Sequence, residues 1–242
     1  MKKNRFIQQI LEAKKEAKQG KSLKGDLDDL TSNLDKNMKN NHIDTKNKPA
    51  FNQFKPENKI VTEDHPTLRM TSIEIPKDEV KSKYVQDLIA QMCKMLSAQI
   101  DGVGLAAPQI GVPLQLFIVS GKVFLNDEER DIVMEADKKK KKHKILIPKD
   151  LVCINPAIIK TSKDKKWMEG EGCLSVRWVY GKVQRSLRVT IKALDENGNL
   201  FTRGASGLLS HIFQHEVDHL NGVLFIDKAK DVKEFEPEEV VG

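Results

Sequence analysis

The stretch "SHIFQHEVDHLNG", residues 210–222, constrains this chain more than any other. Leu208, Leu209, Ile212, Phe213, Val217 and Leu220 recur at helical spacing and Gly222 stops the run, which predicts an amphipathic helix. Residues four apart on a helix lie one turn apart on one face, so His215 and His219 can converge on a single ion while Glu216, rotated by about 100°, flanks it. This is an HExxH arrangement. A divalent metal lowers the pKa of water toward about 7 and a neighbouring carboxylate takes the proton, so the pattern implies hydrolysis.

His211, one turn earlier, makes a third histidine on the same face. Three at this spacing cover about 11–12 Å of helix axis, too far for all to reach one ion at about 2.0–2.1 Å. The rival pair His211 and His215 encloses Ile212 where a base is needed; only His215 and His219 bring a glutamate with them. A further ligand must come from elsewhere. A metzincin pattern would need histidine at 225, where Phe225 stands, and a gluzincin pattern would need Glu234 or Glu236, which sit in a short charged tail. Upstream, "EGEGCLSV" places Cys173 in a glycine-flanked turn, and a thiolate with two imidazoles leaves a tetrahedral ion one open position. Cys93 and Cys153 fall inside apolar patterns and read as core residues. Three widely spaced cysteines without a CxxC argue for a reducing compartment rather than a disulfide framework.

The segment "GVGLAAPQIGVP" joins small residues, which let another backbone approach closely, to one polar side chain, Gln109, whose amide can donate to a developing oxyanion. Around these motifs the expected fold class is α+β, with mostly antiparallel β-sheets packed around the helix that bears HExxH. A helix is predicted after Pro76 from Val80, Tyr84, Leu88, Met92 and Met95, with Asp78 near its start and Gly102 beyond its end. Strands are predicted at 114–120 and 151–159, and a hairpin around Asn197-Gly198. Residues 127–149 read as a polar surface insertion.

Residues 1–58, rich in Lys and Asn, read as a disordered or targeting-like leader, and 59–242 as the catalytic domain. The charge supports that division: of the formal net +6, all lies in the first 60 residues, which hold 14 Lys and Arg against 8 Asp and Glu. A near-neutral domain gives no general reason to expect DNA as a partner. No run of about 18 apolar residues suggests a membrane span, so an intracellular protein is expected.

Together, "GVGLAAPQIG" (102–111), "EGCLS" (171–175) and "QHEVDHLNG" (214–222) closely resemble peptide deformylase, over about Ile60 to Asp227 and including "VLFID" after the helix. The resemblance implies removal of the N-formyl group from the initiator methionine of new polypeptides at a Cys/His/His site holding one divalent ion, ferrous iron natively, with zinc, nickel or cobalt able to replace it. It implies Cys173, His215 and His219 as ligands, Glu216 as general base and acid, and Gln109 with the Leu174 N–H as oxyanion donors. It also implies substrate contacts at Gly102, Val103, Gly104, Glu171, His211 and Ile212. In that family a proline usually follows "EGCLS[IV]" and an arginine lies three residues later; here these are Arg177 and Tyr180. The family's eukaryotic members serve organelles, so plastid or mitochondrion is the expectation in a eukaryote and cytoplasm in a bacterium. A ribosome is a natural partner, and the lysine run "KKKKKHK" (138–144) could hold its RNA. Two other readings are an HExxH metallopeptidase and a structural zinc domain; the second has no use for Glu216.

Overall fold

A computed structural model describes residues 51–139 and 141–235. Residues 1–50 and 236–242, with most of the expected leader and Glu236, lie outside it, as does Lys140.

Why a run such as "LFIV" is apolar at every position becomes clear from its surroundings. Strand β2 (Leu116–Val119) is buried throughout. Leu116 and Ile118 face one cluster, with Leu88, Met92 and Leu96 of helix α1 (Lys83–Ser97), while Phe117 and Val119 face another, with Ile212, Phe213 and Leu220 of helix α3 (Gly207–Leu220). Alternate side chains point to opposite faces of a strand, so a sheet covered on both sides needs apolar residues at both parities. Neighbouring β1 (Gly104–Ala106) and β3 (Leu151–Thr161) divide in the same way: Leu105, Val152 and Ile154 toward α1, Ala106 and Cys153 toward α3. The sheet runs β1-β2-β3-β6-β7, with β6 (Arg188–Leu194) and β7 (Leu200–Ser206) forming the predicted hairpin, and every pairing in it is antiparallel.

A second sheet is built from β4 (Lys165–Cys173), β5 (Val176–Ser186) and β8 (Lys230–Glu234), in the order β4-β5-β8. A short helix α4 (Phe225–Lys228) precedes β8. The expected α+β class and antiparallel sheets are thus present.

Several local expectations differ. Ser82, not Asp78, caps α1, its side chain accepting from the Val85 N–H at 3.4 Å, and a 3₁₀ turn over Lys77–Glu79 precedes it. Within 127–149, helix α2 (Asp127–Lys138) forms, begun by a capping box in which Asn126 and Glu129 exchange side-chain bonds to backbone. Residues of the expected leader that are described pack on the domain: Phe51 sets its ring on Tyr84 and the Tyr84 hydroxyl donates to the Phe54 carbonyl at 2.8 Å. Leu208 is 42 % exposed instead of buried in the core. No helix among the described residues is long and apolar enough to cross a membrane.

Candidate metal centre

Helix α3 delivers His215 and His219 from one face, as the four-residue spacing requires, and the β4–β5 turn delivers Cys173. The ligand atoms of these three lie within 4.8 Å of one another, and they are the group of metal-holding geometry found among the described residues. Cys173 Sγ is 3.2 Å from His219 Nε2, and the two imidazoles stand nearly perpendicular, 82° apart, so their nitrogens converge rather than stack. A thiolate and two imidazoles are a donor set suited to zinc, iron, nickel or cobalt. Glu234, on β8, is outside the group, and so is His211.

Glu171 explains how His215 is held. It is 3 % exposed, and its Oε1 lies 2.7 Å from His215 Nδ1, which leaves Nε2 for an ion. Its other oxygen meets His211 Nε2, and Arg185 grips both oxygens. Burial opposes the charge on Glu171, but the bonds from His211, His215 and Arg185 outweigh it and hold its pKa far below the usual carboxylate range. Arg185 continues to Asp218 at 2.6 Å, and Asp218 to Lys228 at 2.6 Å. Glu171 therefore stands behind His215 with its oxygens engaged, and it also lines the cleft, where a substrate contact was expected of it. Arg185 was not foreseen at all. The available signal was its parity in β5, where Val179, Gly181 and Val183 are buried and a charged residue shares their side.

Glu216 is also 3 % exposed, and its Oε2 has no hydrogen-bond partner. Desolvation pushes its pKa up to about 7, where a carboxyl can exchange a proton near neutral pH. Its place depends on Gly104: a Cβ built there would overlap Glu216 Oε1 and come within 3.1 Å of Ile212 Cγ2. Gly104 opens β1, the edge of its sheet. The Val103 carbonyl accepts from Ser120, so by antiparallel alternation the N–H and C=O of Gly104 point away from β2 and toward the cleft.

Gln109, 1 % exposed, is fixed by Ala106, whose N–H donates to Oε1 at 2.8 Å, and this aims Nε2 at Cys173 Sγ (3.5 Å) and Ser175 Oγ (3.4 Å). Leu174 opens the two-residue turn joining Cys173 to Val176. A cleft of about 410 Å³ brings Val103, Gly104, Gln109, Cys173, Leu174, His211, Ile212, His215 and Glu216 together. Gly102 does not line it; a Cβ there would meet Gln99 and Leu96 at 2.8 Å, so this glycine lets the loop pack on α1. Arg177 lines the cleft and donates to both oxygens of Asp101, at 3.2 and 3.0 Å. The Tyr180 ring lies over Gly172, where a Cβ would come within 2.7 Å of it. Cys93 and Cys153 stand outside the metal-holding group: burial pushes the Cys93 thiol up to about 12, with Asp150 adding to the rise, and raises that of Cys153 as well.

A donor set of this kind beside a buried, unpartnered carboxylate and an open strand edge is equipped to hydrolyse an amide held as an added strand. Comparison with known proteins agrees. The family model described as polypeptide deformylase matches residues 57–235. A peptide deformylase of Christiangramia forsetii is 38% identical over 174 residues, covering 72% of this chain and 82% of the relative. A chloroplastic peptide deformylase 1A of Solanum lycopersicum is 38% identical over 170 residues, 70% of this chain and 58% of that protein. The crystal structure of a peptide deformylase from Synechococcus elongatus in complex with actinonin superposes with a TM-score of 0.57 at 32% identity, over 73% of this chain and 81% of that one. By the span of the family model and by its sequence and structural relatives, the chain belongs to the polypeptide deformylase family.

Proposed function

We propose that in this enzyme, which removes the N-formyl group from new polypeptides, Glu216 carries the proton while Gln109 and the Leu174 N–H hold the oxyanion. The observation that carries this is Glu216 itself, buried beside the Cys173, His215 and His219 donors with one oxygen unpartnered. A carboxylate without a structural partner at such a position is costly to bury and has no other use in the fold.

An ion held by Cys173, His215 and His219 supplies Lewis-acid polarisation of the formyl carbonyl and lowers the pKa of water. The chain does the rest. Gly104 on the β1 edge pairs with the extended peptide, and Ile212 with His211 bounds the space for the methionine side chain. Gln109 Nε2 and the Leu174 N–H donate to the carbonyl oxygen as it gains negative charge during attack of water on the formyl carbon. Glu216 takes a proton from the attacking water and passes it to the departing amine nitrogen as the C–N bond breaks, leaving formate and a free N-terminus. Turnover of a formyl-Met peptide, with no cleavage of the same peptide lacking formyl, tests this against a metallopeptidase.

The resident ion is proposed to be Fe²⁺. A thiolate beside a redox-active metal is open to oxidation by dioxygen, whereas zinc undergoes no redox change. Protein purified without air and verified to carry iron is expected to lose most of its activity on aeration, with a mass increase on the peptide containing Cys173. The zinc form should keep whatever activity it has. Full aerobic stability of the iron form would overturn the assignment.

A ribosome is the proposed partner, reached through the lysines that follow α2. Counterion release from RNA would make the attachment salt-dependent. Changing Lys138 to Lys142, all five, to glutamate should leave kcat/KM on a short formyl-Met peptide intact while weakening ribosome co-sedimentation at low salt. Unchanged co-sedimentation across a salt series rules the attachment out. The chloroplastic relative supports a plastid or mitochondrial location if the host is a eukaryote.

A further inference from the structure

Strand β5 does not leave the Cys173 turn regularly. Cys173 pairs with Val176 and Glu171 with Gly181, so five steps along β5 face two along β4. The surplus, Arg177 to Tyr180, bows out as a bulge, and all four of its residues line the cleft. At its centre Trp178 has φ +65°, in the left-handed region where a Cβ crowds the following carbonyl. The other non-glycine residues with positive φ among those described are Asn155 and Asp231, types that tolerate this conformation; tryptophan does not.

The strained backbone is pinned from outside. The Trp178 carbonyl accepts from the Phe235 N–H at 2.8 Å, Val179 and Tyr180 pair with Glu234 and Lys233 of β8, and the Phe235 ring meets Tyr180 edge-on at 5.6 Å. Strain persists only where the surroundings over-determine it, and bulges beside active sites serve to aim side chains. Glycine would adopt this backbone freely, so the tryptophan is there for its side chain.

We propose that Trp178 is a specificity-determining wall of the cleft, taking a large apolar or aromatic side chain from the residues that follow the formylated methionine. The proposal rests on the deformylase activity. A peptide added to the β1 edge runs extended at about 3.3 Å per residue, so positions beyond the methionine continue along the cleft that Trp178 lines together with Val103 and Gly104. Exposed apolar side chains are available there: Val103 and Leu208, also lining the cleft, are 37% and 42% exposed, while the charged Arg177 and Glu169 of the lining are paired with Asp101 and Lys182. An indole gives such a side chain broad contact with little conformational freedom to lose.

The test measures kcat/KM of the metal-loaded enzyme on formyl-Met peptides carrying Phe or Leu, or Gly, at the two positions after methionine. The wild type is expected to favour the large side chains over glycine by about tenfold or more. In Trp178→Gly that ratio should fall below about threefold with metal content and melting temperature not lowered, while Trp178→Phe should keep most of it. If Trp178→Gly does not fold, Trp178→Asn, which also tolerates the backbone, gives the same comparison. An unchanged ratio in the variants, or no preference in the wild type, overturns the proposal whatever happens to absolute rates. Absence of turnover of every formylated peptide by the wild type would instead overturn the activity.

Discussion

Glu216→Ala is expected to lower kcat/KM on formyl-Met peptides by about 10³-fold or more while the protein still binds one metal ion per chain. Positioned proton transfer is worth about 10² to 10⁴ in rate, and the other cleft carboxylates among the described residues are engaged, Glu171 by Arg185, His211 and His215, Asp101 by Arg177 and Glu169 by Lys182. Metal should remain because the proposed donors are Cys173, His215 and His219, the group whose geometry can hold an ion. Stability should hold or rise: Glu216 Oε2 has no partner, so truncation strands no donor and removes a buried polar atom. His219→Ala, in contrast, should lose metal and activity together. Metal analysis, thermal melting and a deformylation assay on both variants decide the matter, and equal metal loss in the two would sink the role of Glu216.

The metal centre was legible because its logic is short-ranged. His215, Glu216 and His219 are fixed by helix periodicity alone, and Cys173 stood out because glycines flank it where Cys93 and Cys153 sit in apolar runs. Elements buried on both faces were legible as continuous apolar stretches, though their partners were not. What escaped the sequence depends on distant pairing. The strand "KKWMEGEGC" is mostly exposed and so carries little apolar alternation. Helix α2 is acidic and largely exposed, with Val133 as its buried residue; its capping box, Asn126 with Glu129, was the signal to read. Glu171 reads in sequence only as a neighbour of the ligand turn; its bond to Arg185, 14 residues on, depends on strand pairing that no local pattern announces. Leu208 fits the helical period yet faces the cleft, since an apolar rim and an apolar core look alike in sequence.

Arg185 carries the second large expectation. Its side chain is 5 % exposed and neutralises Glu171, 2 % exposed, in a bidentate pair. Removing one member of a buried pair leaves an uncompensated charge, at a cost of about 3–5 kcal/mol. For a domain of this size each kcal/mol shifts the melting temperature by about 2–4 °C, so Arg185→Leu should melt roughly 10 °C lower. The loss should reach the metal as well, since Glu171 sets the orientation of His215, and disturbing such a partner typically weakens affinity about 10- to 100-fold. Lys228, at the outer end of the same chain of charges, is 46 % exposed, and Lys228→Ala should cost less than about 1 kcal/mol. The decisive comparison is Arg185→Leu with Glu171→Gln: neutralising both partners should recover part of the melting temperature without restoring metal affinity, because glutamine holds His215 less strongly than a carboxylate does. If Arg185→Leu alone melts within about 2 °C of the wild type and binds metal as tightly, the buried network is not what holds His215 in place.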